Sequence, residues 1–140
     1  MTIELTDVTY TTSATAKGGR TGHVSSADGV IDLDLRRPGS TANPAATPET
    51  LFAAGYSACY QGALTARAAT RDIDASNSTV TATVSFGPDA AGGFGIAVAL
   101  EAEIPGVDKA TTQELMELAH EVCPYSKATR NNVVVTLTAV

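Results

Sequence analysis

The chain opens on an alternation of apolar and polar positions. Ile3, Leu5, Val8 and Tyr10 stand among threonines, which predicts a strand over residues 3–12. Gly18-Gly19 turns the chain into a second predicted strand, residues 20–26. Asp28-Gly29 is a hairpin signal, and Val30, Ile31, Leu33 and Leu35 mark a third strand. Three strands joined by tight turns make an antiparallel meander. Residues 38–48, PGSTANPAATP, read as a loop.

The period then changes. Thr47 stands as a candidate N-cap, Pro48 as a first helical residue, and Glu49 falls in the first turn, where the helix dipole favours a carboxylate. The helix is expected to run to about residue 71, with Leu51, Gly55, Ala58, Cys59 and Gly62 on one face. Residues 50–66 carry no charge. A helix apolar all round is buried all round, so a second subunit is expected to help cover it. Gly55, Tyr56, Ser57 and Gln61 dilute the stretch below the ~20 strongly apolar residues of a membrane span.

Residues 78–87 alternate as a strand, 88–93 turn, and 94–104 return. Residues 108–122 form an amphipathic helix with Leu115, Met116, Leu118, Ala119 and Val122 inward. It stops at Cys123 because Pro124 follows. A short turn over 125–130 leads to a last strand, 133–140. The order βββ-α-ββ-α-β is an α+β architecture, and residues 1–140 read as one domain.

Composition narrows the function. At 44% apolar and 17% charged, 140 residues suffice for a packed core. The net charge of −6 argues against nucleic acid and anionic membrane surfaces as partners, since there is no basic field to release counterions. The N-terminus has no basic and apolar regions of the signal-peptide kind. A cytoplasmic location is expected, where two cysteines do not form a purely structural disulfide.

Those cysteines are the candidate chemistry. Cys59 on an apolar helix reads by itself as a small core residue. Cys123 sits at a helix end before a proline, where a side chain is usually half exposed. Two cysteines on helical elements suit a peroxidatic and a resolving thiol if the helices pack. A buried thiol is inert without a fixed positive charge. Arg20, after two glycines, is the candidate cation, and Glu49 is a natural carboxylate partner for its guanidinium. Local reading alone favours an exposed edge-strand charge for Arg20 and leaves Glu49 equally a plain helix-start acid. His120, Cys123, Cys59 and His23 make a conceivable metal set, without the spacing of one. Gly92-Gly93-Phe94-Gly95 lacks the Lys-Ser/Thr of a phosphate loop and reads as a turn.

Four stretches in order, GGRTGHVSSADG (18–29), PETLFAAGYSAC (48–59), GGFGIAVALEAEIPG (92–106) and AHEVCPYSKATRNNV (119–133), resemble the Ohr branch of the OsmC/Ohr family. The resemblance spans essentially the whole chain. It implies an OsmC-like fold: antiparallel sheets wrapped around two central helices in an intertwined homodimer with active sites at the subunit interface. It also implies a thiol-dependent peroxidase of the oxidative-stress response, reducing alkyl and fatty-acid hydroperoxides to alcohols. By match of motif, Cys59 is peroxidatic, Cys123 resolving, and Arg20 and Glu49 activating. The implied reductant is dihydrolipoamide or a lipoylated protein, with no bound cofactor and no metal.

Phe52, Tyr56, Phe94 and Met116 are the candidate pocket residues. Two departures stand out. The family's Asn-Pro-Glu is split, with Asn43-Pro44 earlier and Pro48-Glu49 at the helix start. Asn131 replaces a common glycine. The competing reading is a non-enzymatic lipid-binding protein that uses the apolar dimer interface, with both thiols as bystanders.

Overall fold

The computed structural model describes residues 2–40 and 45–140. Asn43-Pro44 lies outside the described residues. The chain divides into two compact units, residues 1–48 and 49–140.

The first unit holds β1 (Ala14–Lys17), a 3-10 turn (Gly19–Thr21), β2 (His23–Ser26) and β3 (Asp32–Asp34). The strands pair as an antiparallel meander, β1-β2-β3, the expected topology with an unexpected first strand. Gly29, with φ of 77°, makes the turn at which β2 reverses. The predicted strand over residues 3–12 does not form. Pairing starts only at Ala14, opposite Ser26. The chain beyond Ser26 turns away into β3, so nothing in β2 lies opposite the earlier residues. Leu5 and Tyr10, each 76% exposed, are left without cover.

On this sheet His23 is held between two carboxylates. Its Nδ1 is 2.8 Å from Asp34 and its Nε2 2.5 Å from Asp32. Those hydrogen bonds, Asp34 first, raise its pKa. Both ring nitrogens are therefore engaged, and His23 offers no lone pair to a metal.

The second unit holds most of α1 (Pro48–Ala69), β4 (Thr79–Pro88), β5 (Phe94–Glu103), α2 (Lys109–Val122), α3 (Pro124–Thr129) and β6 (Val135–Ala139). β4 and β5 form the expected hairpin, in register from Thr79↔Glu103 to Pro88↔Phe94. β6 pairs with β5 in parallel, so this sheet is mixed rather than antiparallel throughout. A parallel neighbour needs a long crossover, and α2 and α3 supply it. Asp108 starts α2, its carboxylate accepting from the Thr111 backbone N–H at 2.8 Å. Asn131 adopts φ of 63°, a left-handed conformation asparagine tolerates, so it keeps the turn that glycine would make.

The core lies between the helices and this sheet. Tyr56, Tyr60, Leu64 and Ala68 are the buried stripe of α1, meeting Leu115, Met116 and Ala119 of α2 and Val98, Leu100 and Ala102 of β5. Of the face marked out in the sequence, Leu51, Gly55 and Cys59 are half-buried, while Ala58 and Gly62 are exposed in the single chain. The tyrosines turn in because each hydroxyl finds a partner there, Tyr60 donating to the Met116 carbonyl at 2.5 Å. Leu64, fully buried at the centre of the stripe, is expected to cost about 2–5 kcal/mol when replaced by alanine. A urea titration of Leu64→Ala checks this through a lower midpoint at unchanged slope.

Candidate functional site

Cys59 is half-buried on α1, one turn after Tyr56. Cys123 closes α2 and opens α3. Pro124 disfavours helical geometry in the residue before it, so Cys123 is extended, with φ −60° and ψ 125°. Its N–H still donates to the Ala119 carbonyl at 2.8 Å, and its carbonyl accepts from the Lys127 N–H at 2.9 Å. The corner is therefore pinned on both sides. It turns inward onto α1, and Cys123 is fully buried rather than half exposed. The two sulfurs stand 3.7 Å apart, both as free thiols.

Three influences act on Cys59. Burial, the largest, pushes its thiol pKa up; a hydrogen bond from the Tyr125 backbone N–H pulls it down; the neighbouring Cys123 pushes it up again. The Tyr125 N–H is available because it lies at the start of α3, where no preceding turn supplies a carbonyl. The Cys123-Pro124 step signals this in sequence, since proline at a first helical position starts a new helix. Tyr125 is nonetheless a site residue that the sequence reading passes over.

Tyr125 also lines a cavity of about 670 Å³. Phe52, Phe94, Ile96, Val133 and Val134 supply its apolar wall, and Asp89 and Asn132 are among its polar residues. Gly55 makes room beside it: a Cβ there would come within 2.9 Å of the Tyr125 hydroxyl. Of the four expected pocket residues, Phe52 and Phe94 line this cavity. Tyr56 and Met116 do not; both are fully buried core.

Tyr56 instead belongs to a polar cluster at the same corner. Its hydroxyl is 2.8 Å from Ser126 Oγ and 3.2 Å from Thr129 Oγ1. Ser126 Oγ is 2.7 Å from His120 Nδ1. Burial, then the charge of Arg130, lowers the His120 pKa. His120 is thus engaged with a hydroxyl, and among the described residues no group of three His, Cys, Asp or Glu side chains could hold a metal ion. Arg20 is in the 3-10 turn of the first unit, following Gly18 and Gly19, which both take positive φ. Glu49 is half-buried in the first turn of α1. No described helix is long and apolar enough to cross a membrane.

The fold and its two facing thiols place the chain among OsmC-like proteins. A family profile with that description matches residues 39–138, and the chain belongs to the OsmC/Ohr family. It is 46% identical over 135 residues to the organic hydroperoxide resistance protein of Xanthomonas axonopodis pv. citri, covering 94% of each chain. The crystal structure of the organic hydroperoxide resistance protein OhrB of Bacillus subtilis superposes with a TM-score of 0.90 at 44% identity. That match covers 95% of this chain and 100% of the other. A Vibrio cholerae structure described as a putative organic hydroperoxide resistance protein, with captopril bound in one of its active sites, superposes at 0.87 and 39% identity. It covers 97% of this chain and 95% of that one.

Proposed function

We propose that this protein is a thiol-dependent peroxidase that reduces alkyl and fatty-acid hydroperoxides to alcohols. The observation that carries the reading is the pair of free sulfurs 3.7 Å apart, with Tyr125 shared between Cys59 and an apolar cavity. In the first step the Cys59 thiolate attacks the outer oxygen of ROOH. The O–O bond breaks, a Cys59 sulfenic acid forms, and the alkoxide leaves as ROH after taking a proton. Cys123 then attacks the sulfenic sulfur, expelling water and forming the Cys59–Cys123 disulfide. From 3.7 Å to bonding distance the sulfurs need to close by only about 1.7 Å. A dithiol reopens the bridge by exchange and is itself oxidised. Dihydrolipoamide, free or on a lipoylated protein, is the reductant we assign.

Burial pushes the Cys59 thiol pKa up, and Arg20 and Glu49 are the activating pair that offsets it in this scheme. The guanidinium stabilises the thiolate and the charge developing on the leaving oxygen. The working form is a homodimer. Ala54, Ala58, Gly62 and Ala66 form an exposed small-residue stripe on α1, and Ile3, Leu5, Val8 and Tyr10 are uncovered in the single chain. A cytoplasmic location, which we also propose, keeps both thiols reduced between turnovers.

The test is a rate comparison with dihydrolipoamide as reductant. Cumene hydroperoxide and linoleic acid hydroperoxide are expected to exceed hydrogen peroxide in kcat/KM by at least about tenfold, because an apolar wall discriminates by roughly 1–3 kcal/mol per group it buries. Equal rates, or faster turnover of hydrogen peroxide, count against the cavity as the substrate site.

A further inference from the structure

The polar cluster behind the cysteines has one internally consistent direction. Ser126 carbonyl oxygen can only accept, and Thr129 Oγ1 lies 3.1 Å from it, so the Thr129 proton goes there. The contact between Tyr56 and Thr129 hydroxyls then needs the Tyr56 proton. With that proton committed, the Tyr56–Ser126 contact needs the Ser126 proton. Ser126 Oγ is left to accept from His120, which must carry a proton on Nδ1. The chain therefore runs His120 Nδ1–H to Ser126 to Tyr56 to Thr129 to the Ser126 carbonyl, with every proton used once. Neutral His120 in its Nδ1–H tautomer and the imidazolium both satisfy it.

Its members come from three helices: Tyr56 from α1, His120 from α2, Ser126 and Thr129 from α3. Tyr56, Ser126 and Thr129 are at most 3% exposed, so an unpaired hydroxyl there has no water to turn to. Cys59 lies three residues after Tyr56, and Cys123 three after His120 and three before Ser126. The cluster thus joins the three elements that set the sulfur–sulfur distance and aim the Tyr125 N–H. Among the described residues no hydrogen bond joins it to either sulfur.

We infer that Tyr56, Ser126 and His120 are positioning residues, whose hydrogen-bond chain holds Cys123 against Cys59 and so decides the fate of the oxidised site. This rests on the proposed peroxidase cycle. A Cys59 sulfenic acid has two exits. Attack by the Cys123 thiol makes the disulfide and releases water. Attack on a second ROOH transfers one more oxygen, giving the sulfinic acid and ROH, a form that ordinary thiols do not reduce. The first exit depends on the placement of Cys123; the second does not.

The experiment oxidises pre-reduced protein with cumene hydroperoxide in the absence of dithiol, and follows Cys59 by stopped flow and intact-mass spectrometry. Tyr56→Phe keeps the ring and removes one link. It is expected to leave the first oxidation rate unchanged, to slow disulfide closure about tenfold, and to raise the sulfinic fraction with excess peroxide. His120→Leu, at the half-exposed end of the chain, is expected to do the same. His120→Asn, which offers an N–H near the Nδ1 position, restores closure; a merely structural role for His120 predicts no such rescue. Closure within about twofold of wild type in both Tyr56→Phe and His120→Leu overturns the inference, as does identical behaviour of the Leu and Asn variants. Wild-type protein that forms no disulfide removes the peroxidase cycle and the inference together; a disulfide that closes equally fast in the variants removes the inference alone.

Discussion

Cys59→Ser is expected to abolish hydroperoxide turnover, by on the order of 10³-fold or more, since removing a nucleophile leaves only binding and background. A serine hydroxyl at this position faces the same burial that raises the thiol, with a far higher starting pKa and no sulfur to carry the oxygen. Cys123→Ser separates the two halves of the cycle. It is expected to release one equivalent of alcohol per subunit rapidly, with the sulfenic acid trappable by dimedone, and at most one more as excess peroxide carries that acid to the sulfinic form. The measurement is alcohol released per subunit, with and without dihydrolipoamide. Sustained turnover in Cys59→Ser, or multiple turnovers at the wild-type rate in Cys123→Ser, ends the two-thiol scheme.

Arg20→Met is expected to lower kcat/KM for cumene hydroperoxide by about 10²-fold, the usual effect of losing one donor to developing negative charge. The pH profile makes the prediction specific. Burial pushes the Cys59 pKa above the ordinary thiol value, so its reactive thiolate fraction falls as pH falls. A cation that favours the thiolate moves the rising limb of the profile to lower pH. Removing it moves the limb back up, and the deficit is largest at acid and neutral pH and shrinks toward alkaline pH. Iodoacetamide alkylation of Cys59 against pH, in a Cys123→Ser background, reads the same pKa without peroxide chemistry. An alkylation midpoint unchanged by Arg20→Met removes Arg20 from thiolate activation and leaves another group to supply the charge. Glu49→Gln is expected to follow Arg20→Met in direction.

Much of this was open to reading in the residues themselves. Asp28-Gly29, the 79–103 hairpin, Asp108 at a helix start and Pro124 after a helix end are local signals, each needing only a few neighbours to act. The order of elements follows from them, and the family resemblance rests on the four motif stretches. Cys59 and Cys123 could be named as a pair from their motifs. What local patterning did not reveal was which distant groups pair. Residues 3–12 have the alternation of a strand, but a strand exists only where another backbone lies opposite, and β2 is too short to provide one. Tyr56 carried the look of a pocket aromatic, yet its hydroxyl is committed to Ser126 and Thr129, which no spacing rule reveals.

Local chemistry along the chain determined where helices and hairpins begin and end, because caps, turns and periodicity act over a handful of residues. Only the tertiary structure decided which side of α1 is inside, that β6 joins β5 in parallel, and that Cys123 is buried 3.7 Å from Cys59. Those outcomes depend on pairing groups 37 to 70 positions apart, Val98 with Val135, Cys59 with Cys123 and Tyr56 with Ser126, and a buried polar group is settled by whichever distant partner can satisfy it.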